Sequence, residues 1–442
     1  MKPTISRSGA PLWGLPLAAL LSGTAARADI YDYLVYEVGP VTLRPQADIL
    51  STFNSNVFYD AEEESSDLVT TFRPGLKVNY GYEDANFVSL EYNLSALVYL
   101  DNSDLNDLGH LGRLRWRYKG ARLGFDGNGE ASQQDKLLGG FFGRIRAPVD
   151  TLQYNQEATV SYDISPKTIV AVSGNIDFTD YTFDFSQRGA TRAQLSDGLT
   201  YSATLRAGYV LRDKITVYPL VTWGRATTSP NQDFDLQNPT TYPRPDLEFY
   251  NFGLRADGEF TPRLTGSVQF AYELRDYLGP ILFAVPVSPP EFNPDNSPKI
   301  ERTIEVELDA PGGMVANLSL RYLFSPKTVF TFGYRRQFSL SQELSTAAYT
   351  ADVFSLGVQQ QIGTRGKWVA GLSGNFTMNA YDDNGSAFGE RTDYLYYARA
   401  DVAYRIQPWI SLGLSQDFQT VDSNFATEYE VFRTSFRLFI GY

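Results

Sequence analysis

From residue 41 onward the chain alternates apolar and polar residues over runs of about a dozen, and this is the feature that most limits what it can become. Val88, Leu90, Tyr92, Leu94, Ala96, Val98 and Leu100 fall on one parity, with Ser89, Glu91, Asn93 and Ser95 on the other. Leu199, Tyr201, Ala203, Leu205, Ala207, Tyr209 and Leu211 alternate with Thr200, Ser202, Thr204 and Arg206. Trp368, Ala370, Leu372, Gly374, Phe376 and Met378 alternate with Lys367, Ser373, Asn375 and Thr377. Period two is the signature of a strand, because successive side chains leave opposite faces. Soluble strands average about 5–6 residues, whereas a strand that crosses a bilayer needs roughly 9–11, so these runs are of the longer kind.

The connections alternate as well. One set is tight: Tyr82-Glu83-Asp84, Lys119-Gly120, Ser165-Pro166-Lys167-Thr168, Arg212-Asp213-Lys214, Thr261-Pro262-Arg263, Ser325-Pro326-Lys327-Thr328, Gly363-Thr364-Arg365-Gly366 and Gln407-Pro408. The other set is longer and richer in Asn, Asp and Pro: Asp60–Asp67, Asp101–Gly109, Ser186–Asp197, Thr227–Asp246, Gly279–Arg302 and Tyr381–Arg391. Short turns at one end and long loops at the other are the layout of an outer-membrane barrel. Eight tight turns, with both chain ends on the turn side, predict an all-β, antiparallel up-and-down barrel of about eighteen strands over residues 41–442. A soluble β-sandwich would show shorter strands with turns every 8–12 residues. A solenoid would show repeated units, and only the Ser-Pro-Lys-Thr turn recurs here.

Aromatic residues support the barrel. The chain holds 29 Tyr and 29 Phe against 3 Met. The last outward position before most tight turns is aromatic: Tyr80, Tyr118, Tyr162, Tyr209, Phe260, Phe324 and Tyr404, with Tyr442 at the chain end. Strand propensity alone would scatter these rings, whereas recurrence at one height predicts a girdle at a membrane interface. Phe432, Thr434, Phe436, Leu438, Ile440 and Tyr442 share one face of the last strand, which predicts recognition by the barrel-assembly machinery. Residues 1–28 carry a Lys2/Arg7 basic start, an apolar run Leu12–Leu21 and an Ala26-Arg27-Ala28 cleavage pattern, so they read as an export signal. Residues 29–40 then form a short periplasmic segment, and the expected location is the outer membrane of a Gram-negative cell, among lipid and lipopolysaccharide.

Composition excludes several functions. With no Cys there is no disulfide framework, thiolate metal site or Cys nucleophile, and a single His leaves one imidazole for acid–base work. His110 opens a strand near Asp104 and Asp107, no Gly-x-Ser-x-Gly sequence is present, and an enzyme is not expected. No metal or other cofactor is expected either, since the acidic loops lack EF-hand spacing. The net charge of -13 becomes -16 once Lys2, Arg7 and Arg27 leave with the signal, which opposes nucleic acid as a partner.

The start of the barrel carries Leu43-Arg44-Pro45, Phe53-Asn54-Ser55-Asn56-Val57-Phe58, Ser66-Asp67 and Arg73-Pro74-Gly75-Leu76. These stretches resemble the β-barrel porin 2 family of Gram-negative outer membranes. The resemblance covers roughly the first two strands. It implies an outer-membrane barrel, in some members associated with exopolysaccharide production, and brings no catalytic residues.

Function should be written on the inward face. There the alternation places Arg113, Arg115, Arg117 and Lys119 on one strand, with Arg399, Arg433 and Arg437 among further basic positions such as Arg73, Lys77, Arg335 and Arg405. The inward acids include Glu91, Asp257, Glu259, Asp393, Asp401 and Asp417. Rings or columns of Arg and Lys select anions, so one reading of the Arg113–Lys119 column is a track for anionic solutes or acidic saccharides. The other reading is a stiffening network, since like charges on one strand are normally offset by acids on its neighbours. Pro219 in mid-strand predicts a bulge, and Arg336 breaks the alternation. The Pro-rich segment Gly279–Gly313 is expected either as a constriction loop or, preferably, as an external flap. The sequence therefore predicts a passive, porin-like conduit for small polar or anionic solutes. The alternatives are an accessory to exopolysaccharide export and a structural or adhesive barrel with a plugged lumen.

Overall fold

A computed structural model describes residues 35–60, 64–81, 86–137, 148–182, 196–212, 214–230, 246–279, 281–286, 300–306, 312–340, 348–363, 366–381, 391–424 and 428–441. The export signal and Tyr442 lie outside these residues.

Long strands follow one another with few interruptions. They are β1 (Val41–Asn54), β2 (Asp67–Gly81), β3 (Phe87–Tyr99), β4 (Asp107–Lys119), β5 (Leu123–Leu137), β6 (Pro148–Ser165), β7 (Thr168–Thr182), β8 (Ser196–Arg212) and β9 (Ile215–Pro230). They continue as β10 (Leu247–Thr261), β11 (Leu264–Tyr277), β12 (Gly313–Ser325), β13 (Thr328–Leu340), β14 (Ala348–Ile362), β15 (Trp368–Tyr381), β16 (Thr392–Gln407), β17 (Ile410–Ser423) and β18 (Tyr429–Ile440). Each pairs antiparallel with its sequence neighbour, and β18 returns to β1 with Ala47 opposite Ile440 and Asn54 opposite Arg433. The sheet therefore closes as a barrel of eighteen strands, as the turn count predicted. Closure leaves no edge to aggregate.

The strands run from 12 to 18 residues, longer than the roughly 9–11 that a bilayer requires. A short strand, Tyr36–Val38, pairs with the start of β1. Within the segment between β11 and β12, Ile281–Pro286 pairs with Ile300–Val306 as a two-stranded sheet of its own, separate from the barrel sheet. The rest of that segment lies outside the described residues.

Register assigns each residue to a face. Tyr80, Val88, Trp116, Gly127 and Ala158 follow one another across neighbouring strands, so one parity runs unbroken around the wall. On that face the middle of each strand is apolar and exposed, with Leu254, Phe270, Leu356, Leu372 and Phe436 all more than half exposed. Tyr80, Tyr118, Tyr162, Tyr209, Phe260, Phe324 and Tyr404 lie on it too, each next to a tight turn. Among the described side chains, every charge on this outer face sits in the loop-side half of its strand: Asp135, Asp150, Asp180, Asp197, Arg225, Glu248, Asp276, Arg336, Asp352, Asp422 and Glu430. The result is an apolar band with aromatic rings at one border and charge at the other.

One local expectation changes. At Pro219 there is no bulge. It stays in register with Leu254 of β10, while its pairing toward β8 lapses between Val217 and Leu220 without a shift. The missing N–H thus faces β8, and the single irregularity of that ladder sits at Ile215/Thr216. Arg336, which breaks the alternation, faces outward in continuous register. It opposes Asp352 across β13 and β14, with Nη1 at 2.9 Å from Oδ2, and the Tyr334 hydroxyl donates to the same carboxylate at 2.7 Å.

Candidate lumen site

The inner face is polar, and its polar groups satisfy one another across strands. Thr52 and Ser435 meet at 2.8 Å, Thr159 and Ser173 at 2.8 Å, and Thr204 and Thr222 at 2.8 Å. Gln46 Nε2 donates to Asn93 Oδ1 at 2.8 Å, and Asn93 Nδ2 donates to Glu91 Oε1 at 2.7 Å.

The basic column of β4 is not uniform. Arg113 stands between two acids, with Nε at 2.7 Å from Glu130 and Nη1 at 3.7 Å from Glu91. This is the cross-strand offset that like charges on one strand require. Arg115 lies between Ser89 and Asn128 by register, and Arg117 reaches over the Phe87 ring at 5.9 Å. Arg113, Arg115, Arg117 and Lys119 are all exposed on the inner side of the wall. The column is therefore ion-paired at Arg113, and Arg117 stands opposite the inward Asp126 of β5 by register.

Elsewhere the charges pair along one strand at spacing i, i+2. Arg255 Nε lies 2.8 Å from Asp257, Arg275 Nε 2.7 Å from Glu273, and Arg399 Nε 3.7 Å from Asp401. Glu259 pairs with Lys214 across the turn end. Asp393 is the extreme case. It is fully buried, receives the Nε and Nη2 groups of Arg391 at 3.0 and 2.8 Å, and accepts a hydrogen bond from Ser423. Arg391 in turn lies over the Tyr381 ring at 4.3 Å. Asp393 thus clamps the loop end of β16 to β17 instead of presenting a free charge to the lumen.

At the seam where the last strands meet the first, the inner wall lines a half-open cavity of about 490 Å³. Arg399, Arg433 and Arg437, three of the basic positions read from the alternation, come together there with Arg73. Asp48 and Asp417 are the acids in its lining. Arg399, Asp417, Arg433 and Asn54 lie side by side across four strands. Arg437 Nε is 2.7 Å from Asp48, whereas Arg73 is 4.0 Å from the same acid, and Arg399 Nη1 is 3.5 Å from Asp417. Arg433 Nη2 donates to Gln419 Oε1 at 2.8 Å, and its Nε is buried without a hydrogen-bond partner. The Tyr397 hydroxyl donates to Asp417 at 3.0 Å. Asp48, Tyr99 and Tyr397 were not singled out in the sequence. Leu50 puts an apolar residue on the inward parity of β1 and blurs its alternation around Asp48.

Above the cavity the first long loop folds back against the inner wall. Asn56 is fully buried. Its Nδ2 donates to the Asp60 carbonyl at 2.7 Å, and its Oδ1 accepts the Asp60 N–H at 3.1 Å. The Ser55 N–H donates to the Phe432 carbonyl at 3.0 Å, and Ser55 Oγ accepts the Phe432 N–H at 2.9 Å. Tyr59 holds a φ of 54°, a left-handed conformation unusual for a bulky residue. Its ring meets Tyr429 edge-on at 5.3 Å and packs on the cluster of Val421, Tyr429 and Val431. Those residues share the parity of Asp417 and Arg433, so the loop covers the inside of the mouth.

His110 does not gather with Asp104 and Asp107. It sits on the outer parity, where Nδ1 lies 2.7 Å from the Tyr92 hydroxyl. Among the described residues there is no group of three or more His, Cys, Asp or Glu side chains placed to hold a metal ion.

No protein-family model matches the chain, and no curated protein matches it. Solved structures do. The chain is similar to OpdK of Pseudomonas aeruginosa, crystallised with vanillate, at 10% identity and a TM-score of 0.42 over 90% of this chain and 99% of that one. It is similar to OpdL of Pseudomonas aeruginosa at 13% identity and a TM-score of 0.40, covering 90% and 98% of the two chains. It is also similar to the siderophore receptor PirA from Pseudomonas aeruginosa at 11% identity and a TM-score of 0.41, covering 90% and 80%. Likeness at this level carries no functional argument, which leaves the reading to this chain's own residues.

Proposed function

We propose that the chain is an outer-membrane barrel that passes small polar solutes through its lumen without catalysis. The observation that carries the reading is the contrast between the two faces of one wall. Among the described residues the outer face is free of charge until the loop-side half of each strand, and aromatic rings border it at the turns. The inner face carries solvent-exposed Arg115, Arg117 and Lys119 at the same depth. Charge facing hydrocarbon is costly and charge facing a water-filled lumen is not. The aromatic positions from Tyr80 to Tyr404 suit the interface toward the tight turns, and the loop-side charges suit the headgroups of lipopolysaccharide. The outward face Phe432, Phe436, Leu438 and Ile440, continued by Tyr442, suits recognition by assembly machinery. The local resemblance to the β-barrel porin 2 family agrees with this reading.

Purified protein in a planar bilayer should give discrete single-channel conductance steps. A bilayer that stays silent with folded protein inserted would instead mark the barrel as structural or plugged. Anion over cation preference, read as the reversal potential in a salt gradient, is the finer expectation from the exposed Arg115, Arg117 and Lys119 of β4.

The membrane reading also predicts a position effect. Leu356 is 63% exposed at the middle of β14, opposite Phe332 and Gly374. Leu356→Arg should destabilise the barrel by about 2–4 kcal/mol when folding into lipid vesicles is followed by urea titration. Gln359→Arg, on the inward parity of the same strand, should change stability far less.

A further inference from the structure

We propose that the seam cavity is a binding site for a small organic carboxylate, a substrate class that deepens and rests on the conduit reading above. The site differs from the rest of the inner wall in how its charges are spent. Arg113 holds one close acid, Glu130 at 2.7 Å, and Arg391 is locked on Asp393. In the cavity one pair is close, Arg437 with Asp48 at 2.7 Å. Arg73 and Arg399 stand 3.5 Å or more from their nearest acids, and Arg433 has no carboxylate within 4 Å and one N–H without an acceptor. Four guanidinium groups thus share three carboxylates, Asp48 and Asp417 in the lining and Asp401 beside Arg399, and Asp417 already accepts the Tyr397 hydroxyl.

An incoming anion meets planar donor forks with capacity left over, the geometry that suits a carboxylate. An incoming cation must displace a guanidinium from Asp48 or Asp417. The remaining lining says the anion is organic. Leu50, Val69 and the rings of Tyr99 and Tyr397 offer surface to a carbon body that an inorganic ion lacks. The volume of about 490 Å³ falls within the range of small-molecule sites, roughly 300–1,000 Å³. Asn54, where the first long loop begins, contributes to the lining on the mouth side.

The test is calorimetric titration of the detergent-solubilised full chain with benzoate, its neutral isostere benzamide, and sulfate. Benzoate should bind, and benzamide and sulfate should bind far more weakly. Arg433→Gln should weaken benzoate by about tenfold or more, the value of a hydrogen bond to a charged group. Arg335→Gln, inward on the distant strand β13, should leave benzoate binding unchanged, and heat-modifiable gel migration reports that each variant is a folded barrel. Absence of benzoate binding, equal binding of benzamide or sulfate, or indifference to Arg433→Gln in a folded barrel would each overturn the site. Conductance is read separately. A chain that conducts but ignores benzoate keeps the conduit and loses the site, and one that binds benzoate but never conducts does the reverse.

Discussion

Asp393→Ala should lower the stability of the folded barrel by about 3–5 kcal/mol, the usual consequence of breaking a buried ion pair by removing one member. The side chains of Arg391 and Asp393 are 4% and 0% exposed, so water cannot replace what the substitution removes. Arg391 would lose the acceptor of its Nε and Nη2 groups, and Ser423 would lose the acceptor of its hydroxyl. The Tyr381 ring, 4.3 Å from the guanidinium, accepts a cation but does not neutralise one. Asp393→Asn keeps the shape and the Ser423 contact, so it should lie between wild type and Asp393→Ala. Arg391→Met combined with Asp393→Leu should recover much of the loss, because two apolar groups of similar volume need no pairing. The measurement is a urea titration of each variant in lipid vesicles. An Asp393→Ala barrel as stable as wild type would show that the pair contributes nothing. Asp257→Ala makes the contrast, since Arg255 and Asp257 are each about one-third exposed and water screens what remains.

The difference between these two acids explains what the sequence could and could not disclose. Alternation assigned both to the inward face, and the register agrees. Strand number and the two kinds of connection were equally legible, because period two and turn chemistry are local properties. What separates Asp393 from Asp257 is distance from the open lumen, which depends on the Arg391 and Ser423 side chains and on neighbouring loops. Arg336 shows the same limit. Alternation flagged it as an exception, but only the opposite strand, with Asp352, explains why an outward charge is tolerated there. The seam cavity was hidden for a further reason. Arg73 and Asp48 belong to the first two strands, and Arg399, Arg433 and Arg437 belong to the last three. No pattern along the chain joins residues more than 300 positions apart, and only closure of β18 on β1 brings them together. The mouth loop fails for lack of period. Asn54-Ser55-Asn56 reads as an ordinary polar turn, and its partners Glu430 and Phe432 lie at the far end of the sequence.

That loop supplies the largest expected change in conductance. Asn56 is the keystone of its inward fold, since one side chain satisfies both backbone groups of Asp60 and reaches toward the Glu430 carbonyl. Asn56→Ala removes the hydrogen bonds that this side chain makes to Asp60, at a cost of about 1–3 kcal/mol. A loss of about 2 kcal/mol moves the ratio of docked to undocked loop roughly 30-fold. Tyr59 adds to the imbalance because its φ of 54° is strained, and the strain persists only while Tyr429 and the Val421–Val431 cluster hold the ring. Two outcomes are therefore expected in a planar bilayer. Asn56→Ala should raise the open fraction or the mean single-channel conductance. Tyr59→Gly should behave differently: it frees the backbone of strain but deletes the ring that packs against Tyr429 inside the mouth, so conductance should rise while the loop stays docked through Asn56. If both variants match wild-type conductance, the loop lies over the wall without narrowing the path. If Tyr59→Gly alone raises it, the constriction is the Tyr59–Tyr429 contact itself, and solute passage is limited at the mouth, before any solute reaches the arginines below.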